Sequence, residues 1–255
     1  MTDRPIAISG PTKRLVRQRC GFGCILCGLP IYQYDHMHGY TLENADDPGE
    51  ITLLCSNHHD DKTRGRLPLE RVLLANEAPV NVKAGISAPY GLHYYGQRCQ
   101  IVIANNLFDG NEPQFAALVI RDEEVISVRF STEGEVLLNA NIRDRSGEVA
   151  LSIVDNEMQY AASAWDIEYV GRTLTVRQAL GDILFELMFE PPSIIALTRA
   201  NLQYDDVTIT IDANGFYAKG PGPRERRVNG CYFHGLRYAI TLDCKKMYRG
   251  VGLGL

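Results

Sequence analysis

The chain has 255 residues, of which 45% are hydrophobic and 22% are charged, a composition typical of a globular protein that buries a sizeable core. Its 26 basic and 31 acidic residues give a net charge of −5, which provides no general attraction for nucleic acid. No stretch approaches the roughly 18 consecutive apolar residues of a membrane span. The first residues, MTDRPIAISG, lack the apolar run of a signal peptide. The sequence therefore predicts a cytoplasmic protein without a membrane partner.

The chain divides into two parts of different character. Residues 1–80 are rich in Cys, His and turn residues and are predicted to form one domain, followed by a linker over 81–95. From residue 96 to 255, short Val- and Ile-rich runs such as VISVRFS and VTITID are separated by Gly, Asp, Asn or Pro. This pattern predicts an all-β domain, a sandwich, barrel or β-solenoid, that targets, senses or oligomerises. A homo-oligomer would form through this domain.

The first predicted helix carries a cluster of basic residues. GPTKRLVRQRC has Pro11 in its first turn and helix formers after it. The basic residues of this stretch, Arg17 among them, are either phosphate contacts for a nucleic acid or a solvated helix face. The sequence leaves both interpretations open, and Arg17 is retained as a candidate nucleic-acid contact.

Three cysteines fall within eight positions, in a chain without a secretion signal, which indicates a metal site rather than disulfides. CILCG places Cys24 and Cys27 at the Cys-x-x-Cys spacing, with a glycine after them that eases the turn. Cys55 and His58 repeat the spacing and complete a Cys3His set. Two such pairs in one short segment predict a structural Zn2+ ion. Cys20 is a competing ligand at a less typical spacing.

The segment between the two metal-binding pairs carries the chemistry. It has the order Asp35-His36, a polar loop, the strand-like ITLLC, and then His59 followed by Lys62 and a threonine. This order resembles the HNH endonuclease family over residues 19–67, about a fifth of the chain. The resemblance implies an α+β protein, with a small N-terminal ββα-metal module stabilised by zinc, ahead of the larger all-β domain.

The resemblance also implies roles for individual residues. His36 matches the general base that takes a proton from the attacking water, a role that suits an imidazole, whose ordinary pKa is near neutral. Asp35 and His59 match ligands of a catalytic Mg2+ or Mn2+ ion. Lys62 and Arg64 are candidate phosphate contacts, although Lys62 could equally be a solvated helix lysine. The implied partner is DNA, and the implied reaction is metal-dependent hydrolysis of its phosphodiester bonds.

The sequence departs from the family at one position. Where the family has an Asn that orients the first His, this chain has Glu50, which can accept hydrogen bonds but cannot donate as an amide does. Asn44 is a possible substitute in the loop. In addition, neighbours on a regular strand point to opposite faces, so Asp35 and His36 can serve one site only if the strand ends or bulges there.

Two other functions compete with the nuclease. Glu50 and the acidic net charge favour a catalytically weak or inactive zinc-containing protein that binds DNA on the same scaffold. In a third possibility the β-rich domain carries the primary function, as a ligand sensor or assembly platform with the nuclease as its effector. A plasmid-cleavage assay separates the first two, and sizing of a truncated protein tests the third.

Overall fold

The computed structural model describes residues 6–110, 113–220, 222, 225–245 and 251–254. The helices are α1 (Gly10–Cys20), α2 (Ser56–Thr63), α3 (Leu69–Glu77) and α4 (Val80–Ala84). The strands are β1 (Gln33–His36), β2 (Ile51–Leu54), β3 (Tyr90–Gly91), β4 (Cys99–Ile103), β5 (Asn106–Gly110), β6 (Gln114–Ile120), β7 (Glu123–Phe130), β8 (Val136–Arg143), β9 (Val149–Val154), β10 (Glu157–Tyr160), β11 (Asp166–Val170), β12 (Thr173–Ala179), β13 (Asp182–Glu190), β14 (Ile194–Tyr204), β15 (Val207–Asp212), β16 (Gly215–Lys219), β17 (Glu225–Val228), β18 (Tyr232–His234), β19 (Tyr238–Leu242) and β20 (Val251–Gly254). None of the helices in the described residues is long and apolar enough to cross a bilayer.

The chain forms two compact units. The N-terminal unit consists of Met1–Tyr90 together with Ala161–Tyr169, and the second unit consists of Gly91–Tyr160 together with Val170–Leu255. A segment from the middle of the chain therefore belongs to the N-terminal unit. The functional division at residues 80 and 96 stays a prediction.

The predicted α+β class is wrong. Strands make up 48% of the chain and helix 14%, in several sheets, and no separate N-terminal ββα module is evident. The β1–β2 hairpin and α2 belong to a larger unit, whose core also takes Val16 and Cys20 from α1 and Val72 from α3. The protein is mainly β.

Helix α1 is defined at both ends by its sequence. The Ser9 hydroxyl accepts a hydrogen bond from the backbone N–H of Thr12, which satisfies one of the free N–H groups of the first turn. At the other end Gly21 has φ 66°, a left-handed conformation that costs glycine little, and its N–H bonds back to the carbonyls of Arg17 and Gln18.

The second unit contains two sheets built mainly from consecutive antiparallel strands. One has the order β20-β19-β6-β7-β8-β9-β10, and the other includes β12 to β17 in chain order, with β14 also pairing in parallel with β4. Two of the hairpin turns have positive φ at both central residues, Arg121-Asp122 and Asp155-Asn156. Such turns match the right-handed twist of the strands, and Asp and Asn tolerate this conformation better than most residues. The residues at these two turns thus favour the antiparallel pairing of the consecutive strands that they connect.

A buried ion pair joins α1 to the segment 161–169. The guanidinium of Arg17 donates two hydrogen bonds of 2.8 Å to the carboxylate of Asp166, and further bonds to Glu168 and to the Tyr34 hydroxyl. Arg17 is 3% exposed and Asp166 is fully buried. Burial by itself lowers the pKa of Arg17, but the hydrogen bonds and charge interactions with Asp166 and Tyr34 together outweigh this effect, and the net pKa is raised. The Arg17 guanidinium therefore stays charged when folded.

We expect Asp166→Ala to destabilise the N-terminal unit strongly, because the Arg17 charge would remain buried without its partner. Loss of one partner from a buried pair costs about 3–5 kcal/mol. The matched control is Asp182→Ala, since Asp182 also forms a bidentate pair with Arg145 but at an exposed position, where about 1 kcal/mol or less is expected. Chemical denaturation of both variants measures the difference, and equal losses would contradict this account.

Candidate functional site

The turn after α1 presents two of the predicted metal ligands. Cys24 is buried and Cys27 is half-buried, and the N–H of Gly28 donates to the Cys24 carbonyl at 2.7 Å to close the turn. Gly28 has φ 76°, and a Cβ there would lie 2.2 Å from the side-chain oxygen of Asn81. Only glycine fits this position without displacing Asn81, so the glycine after CILC has a structural reason.

The other two ligands come from the start of α2. Cys55 is the residue just before the helix, and His58 lies in the first turn, so the three-residue spacing brings both side chains to one side. The Nδ1 atom of His58 is 3.3 Å from the Cys24 sulfur and 3.2 Å from the Cys55 sulfur. The sulfurs of Cys27 and Cys55 are 3.8 Å apart. Four ligand atoms thus converge from two turns.

These four residues, which we call the metal cluster, fit a tetrahedral ion such as Zn2+. With Zn–S bonds near 2.3 Å and Zn–N bonds near 2.0–2.1 Å, a tetrahedron places sulfurs about 3.8 Å apart and sulfur and nitrogen about 3.5 Å apart. The four ligand atoms all lie within 4.8 Å of one another. In the described part of the chain, no other group of three or more Cys, His, Asp or Glu residues meets that criterion. The cluster can therefore hold a metal ion.

One thiol of the metal cluster, that of Cys24, is favoured to lose its proton. The hydrogen bond from the Cys27 thiol lowers the pKa of Cys24 and raises the pKa of Cys27. Burial opposes the shift at Cys24 and adds to it at Cys27. Because the thiolate is the metal-binding form, Cys24 is the thiol of this pair that loses its proton first.

A second cluster of polar side chains contains His59, the neighbour of the metal ligand His58. The Nε2 atom of His59 is 3.5 Å from Oδ1 of Asp35, and the Nζ atom of Lys62 is 2.7 Å from Oδ2 of the same carboxylate. Asp35 is 6% exposed, whereas the side chain of His59 is 34% exposed. Asp35 lies on β1 and the other two residues lie one turn apart on α2. A buried carboxylate with one cationic partner and an accessible imidazole is suited to binding a cation or a phosphate ester.

His36 is the last residue of β1 and takes part in this group through its backbone. Its carbonyl accepts a hydrogen bond of 2.8 Å from Lys62, while its Nε2 atom lies 3.3 Å from the carbonyl of Ala45 in the following loop. The ring of Tyr40 meets the His36 ring edge-on at 5.3 Å. The strand ends here without a bulge, since His36 pairs with Ile51 in regular register. Its ring is therefore oriented by the loop.

The loop that orients His36 is braced by Asn44. Its side-chain oxygen accepts from the N–H of Thr41, and its amide donates to the carbonyl of Gly39, both at 2.8 Å. Glu50 instead pairs its carboxylate with Nδ1 of His38 at 2.7 Å. Asn44 thus supplies the amide interactions that a carboxylate cannot.

The three predicted phosphate contacts lie in different environments. Arg64 is exposed and paired with Asp60, and Lys62 is held against Asp35. Arg17 lies in the interior, where Asp166, Glu168 and Tyr34 occupy its guanidinium. In this arrangement the Arg17 guanidinium is already engaged by these partners and is not free to contact a phosphate.

Sequence reasoning missed Asp166, which is 149 positions from Arg17. No local pattern marks it, since an isolated Asp in a strand-like run is common.

Comparison of the chain with known protein families, with curated proteins and with solved structures gives no match.

We expect the purified protein to retain about one zinc ion per chain and Cys55→Ser to lose it, with a large loss of stability. Structural zinc binding is worth on the order of 10 kcal/mol and is coupled to folding. The matched control is Cys20→Ser, because Cys20 is buried beside Thr52 rather than in the metal cluster. Metal content and thermal unfolding are measured together. Loss of zinc from Cys20→Ser, or retention by Cys55→Ser, would refute the ligand assignment.

Proposed function

We propose that the N-terminal unit is a metal-dependent endonuclease that hydrolyses phosphodiester bonds of DNA, as the HNH endonucleases do. The observation that carries this proposal is the division of labour between two adjacent histidines. His58 belongs to the metal cluster and contacts the Cys55 sulfur, while His59 faces Asp35. A single short helix thereby connects a stabilising site to a reactive one.

The metal cluster has a structural role in this proposal. It supplies four protein ligands, which fills a tetrahedral coordination sphere and leaves no open position for a substrate. The zinc ion, when bound, fixes α2 to the turn at Cys24 and Cys27. Since His59 follows a zinc ligand directly, its position relative to Asp35 depends on that attachment.

His36 serves as the base. A carbonyl can only accept a hydrogen bond, so when the contact with Ala45 is made the ring proton is on Nε2 and the lone pair is on Nδ1. Nδ1 then takes a proton from the attacking water. Tyr40 and the braced loop hold the ring in one orientation, which lowers the cost of reaching the reactive geometry.

Asp35 and His59 are the residues that would hold a divalent ion. When bound there, Mg2+ or Mn2+ would polarise the phosphate and stabilise the negative charge that develops on the leaving oxygen. Two protein ligands suffice, because Mg2+ in nucleotide-processing sites keeps several waters and uses substrate oxygens. The Lys62 ammonium, 2.7 Å from Oδ2 of Asp35, offsets the charge of this buried carboxylate.

One observation favours the alternative, a protein that binds DNA without cutting it. The Lys62 ammonium already occupies Oδ2 of Asp35 and competes with a divalent ion for that carboxylate. If this pair is not displaced, the unit would bind nucleic acid and leave the strands intact. The alternative predicts gel shifts without nicking.

We expect the protein to nick supercoiled plasmid in the presence of Mg2+ or Mn2+, and His36→Ala to be slower by about 10²–10⁴-fold, the usual contribution of a general base. His93→Ala is the matched control, since His93 is an exposed histidine of the second unit. Time courses on agarose gels give the rates. Absence of nicking with either metal, or equal rates for His36→Ala and the wild type, would disprove the nuclease.

A further inference from the structure

A row of aromatic rings leads to the candidate base. Tyr34 and His36 are alternate residues of β1, and alternate residues of a strand point to the same face. Tyr32 lies just before the strand, two residues ahead of Tyr34. The Tyr32 and Tyr34 rings meet edge-on at 5.9 Å, and Tyr40 adds its ring beside His36. We call these four residues the aromatic strip.

The aromatic strip is anchored to the N-terminal unit but remains partly accessible. Tyr32 and Tyr34 pack partly against the core of the N-terminal unit, yet neither ring is fully buried, and Tyr40 is 43% exposed. The Tyr34 hydroxyl accepts from Arg17, and the Tyr40 hydroxyl accepts from the N–H of Ile6 at 2.9 Å. Rings held in this way lose little conformational entropy when a ligand stacks on them.

One basic side chain near the aromatic strip favours an anionic strand. Lys13 places its ammonium 5.7 Å from the centre of the Tyr34 ring. Burial raises the pKa of Tyr34, so this phenol stays neutral and does not repel phosphate. The whole chain carries −5. Affinity for nucleic acid must therefore come mainly from stacking rather than from neutralising many phosphates.

The spacing of the rings excludes a paired duplex as the ligand. The Tyr32 and Tyr34 ring centres lie 5.9 Å apart and the ring planes are nearly perpendicular, whereas the bases of a duplex strand are parallel and rise about 3.4 Å per nucleotide. A strand whose bases lie on successive rings must be unstacked and extended, which base pairing prevents. Unpaired bases have exposed faces and stack on aromatic side chains irrespective of sequence.

We propose that the aromatic strip binds unpaired bases of a DNA strand, with Lys13 beside the phosphates, and so delivers single-stranded or frayed DNA to His36. Delivery for cleavage rests on the proposed nuclease function, whereas binding does not. The strip thereby sets the substrate class of the site.

The test measures binding of the full-length protein, without added Mg2+ or Mn2+, to a fluorescein-labelled oligothymidylate and to the matching duplex by fluorescence anisotropy. The single strand should bind at least about tenfold more tightly. Tyr32→Leu should weaken single-strand binding by roughly 5- to 100-fold, as expected for one stacked base. Tyr32→Phe, which keeps the ring, should bind as the wild type does. Tyr95→Leu is the matched control, since Tyr95 is 67% exposed and belongs to the second unit.

Two results would overturn the inference. One is duplex binding as tight as single-strand binding. The other is a loss in Tyr32→Leu no larger than in Tyr95→Leu, with circular dichroism and zinc content showing that both variants are folded. Because no cleavage is measured, a protein that fails to nick plasmid can still pass this test, and the two proposals are judged separately.

Discussion

The convergence of four ligand atoms from two separate turns is the constraint on which the candidate site depends. Helix α2 has eight residues and no buried side chain, so packing of an apolar face cannot hold it firmly against the β1–β2 hairpin. A metal ion held by Cys55 and His58 together with Cys24 and Cys27 would instead attach the first turn of the helix. The position of His59 relative to Asp35 follows from that attachment, because His59 is the next residue along the helix.

A second constraint acts elsewhere in the N-terminal unit. Arg17 holds Tyr34 and Asp166 together in the interior of the N-terminal unit. Asp166 belongs to a segment whose two ends continue into strands of the second unit. The N-terminal unit is therefore completed by residues that lie far along the chain, and a fragment ending near residue 90 would leave Arg17 without its main partner.

Spacing within a short segment was sufficient to predict the metal cluster, because Cys-x-x-Cys and Cys-x-x-His turns position their ligands locally. Local spacing could not predict the fold, where the α+β class was wrong. The fold depends on contacts between residues that are far apart in the chain, such as the contact of Asp166 with Arg17. Neither hydrophobic periodicity nor turn residues encode which distant strand completes a unit. Arg17 shows the same limit of local sequence patterns. The pattern of its helix was compatible with a solvated face, and the burial of Arg17 depends on its distant partner Asp166. The catalytic roles of Asp35, His36 and His59 stay predictions.

The proposal that adjacent histidines serve two different metals is tested most directly by parallel study of His58→Ala and His59→Ala. Zinc content, thermal unfolding and Mg2+-dependent plasmid nicking are measured for both variants. We expect His58→Ala to lose zinc and to unfold at lower temperature. We expect His59→Ala to keep zinc and its fold while its nicking rate falls by roughly a hundredfold or more, as for loss of one group that stabilises developing charge. Zinc retained by both variants, or the reverse pattern, would contradict it.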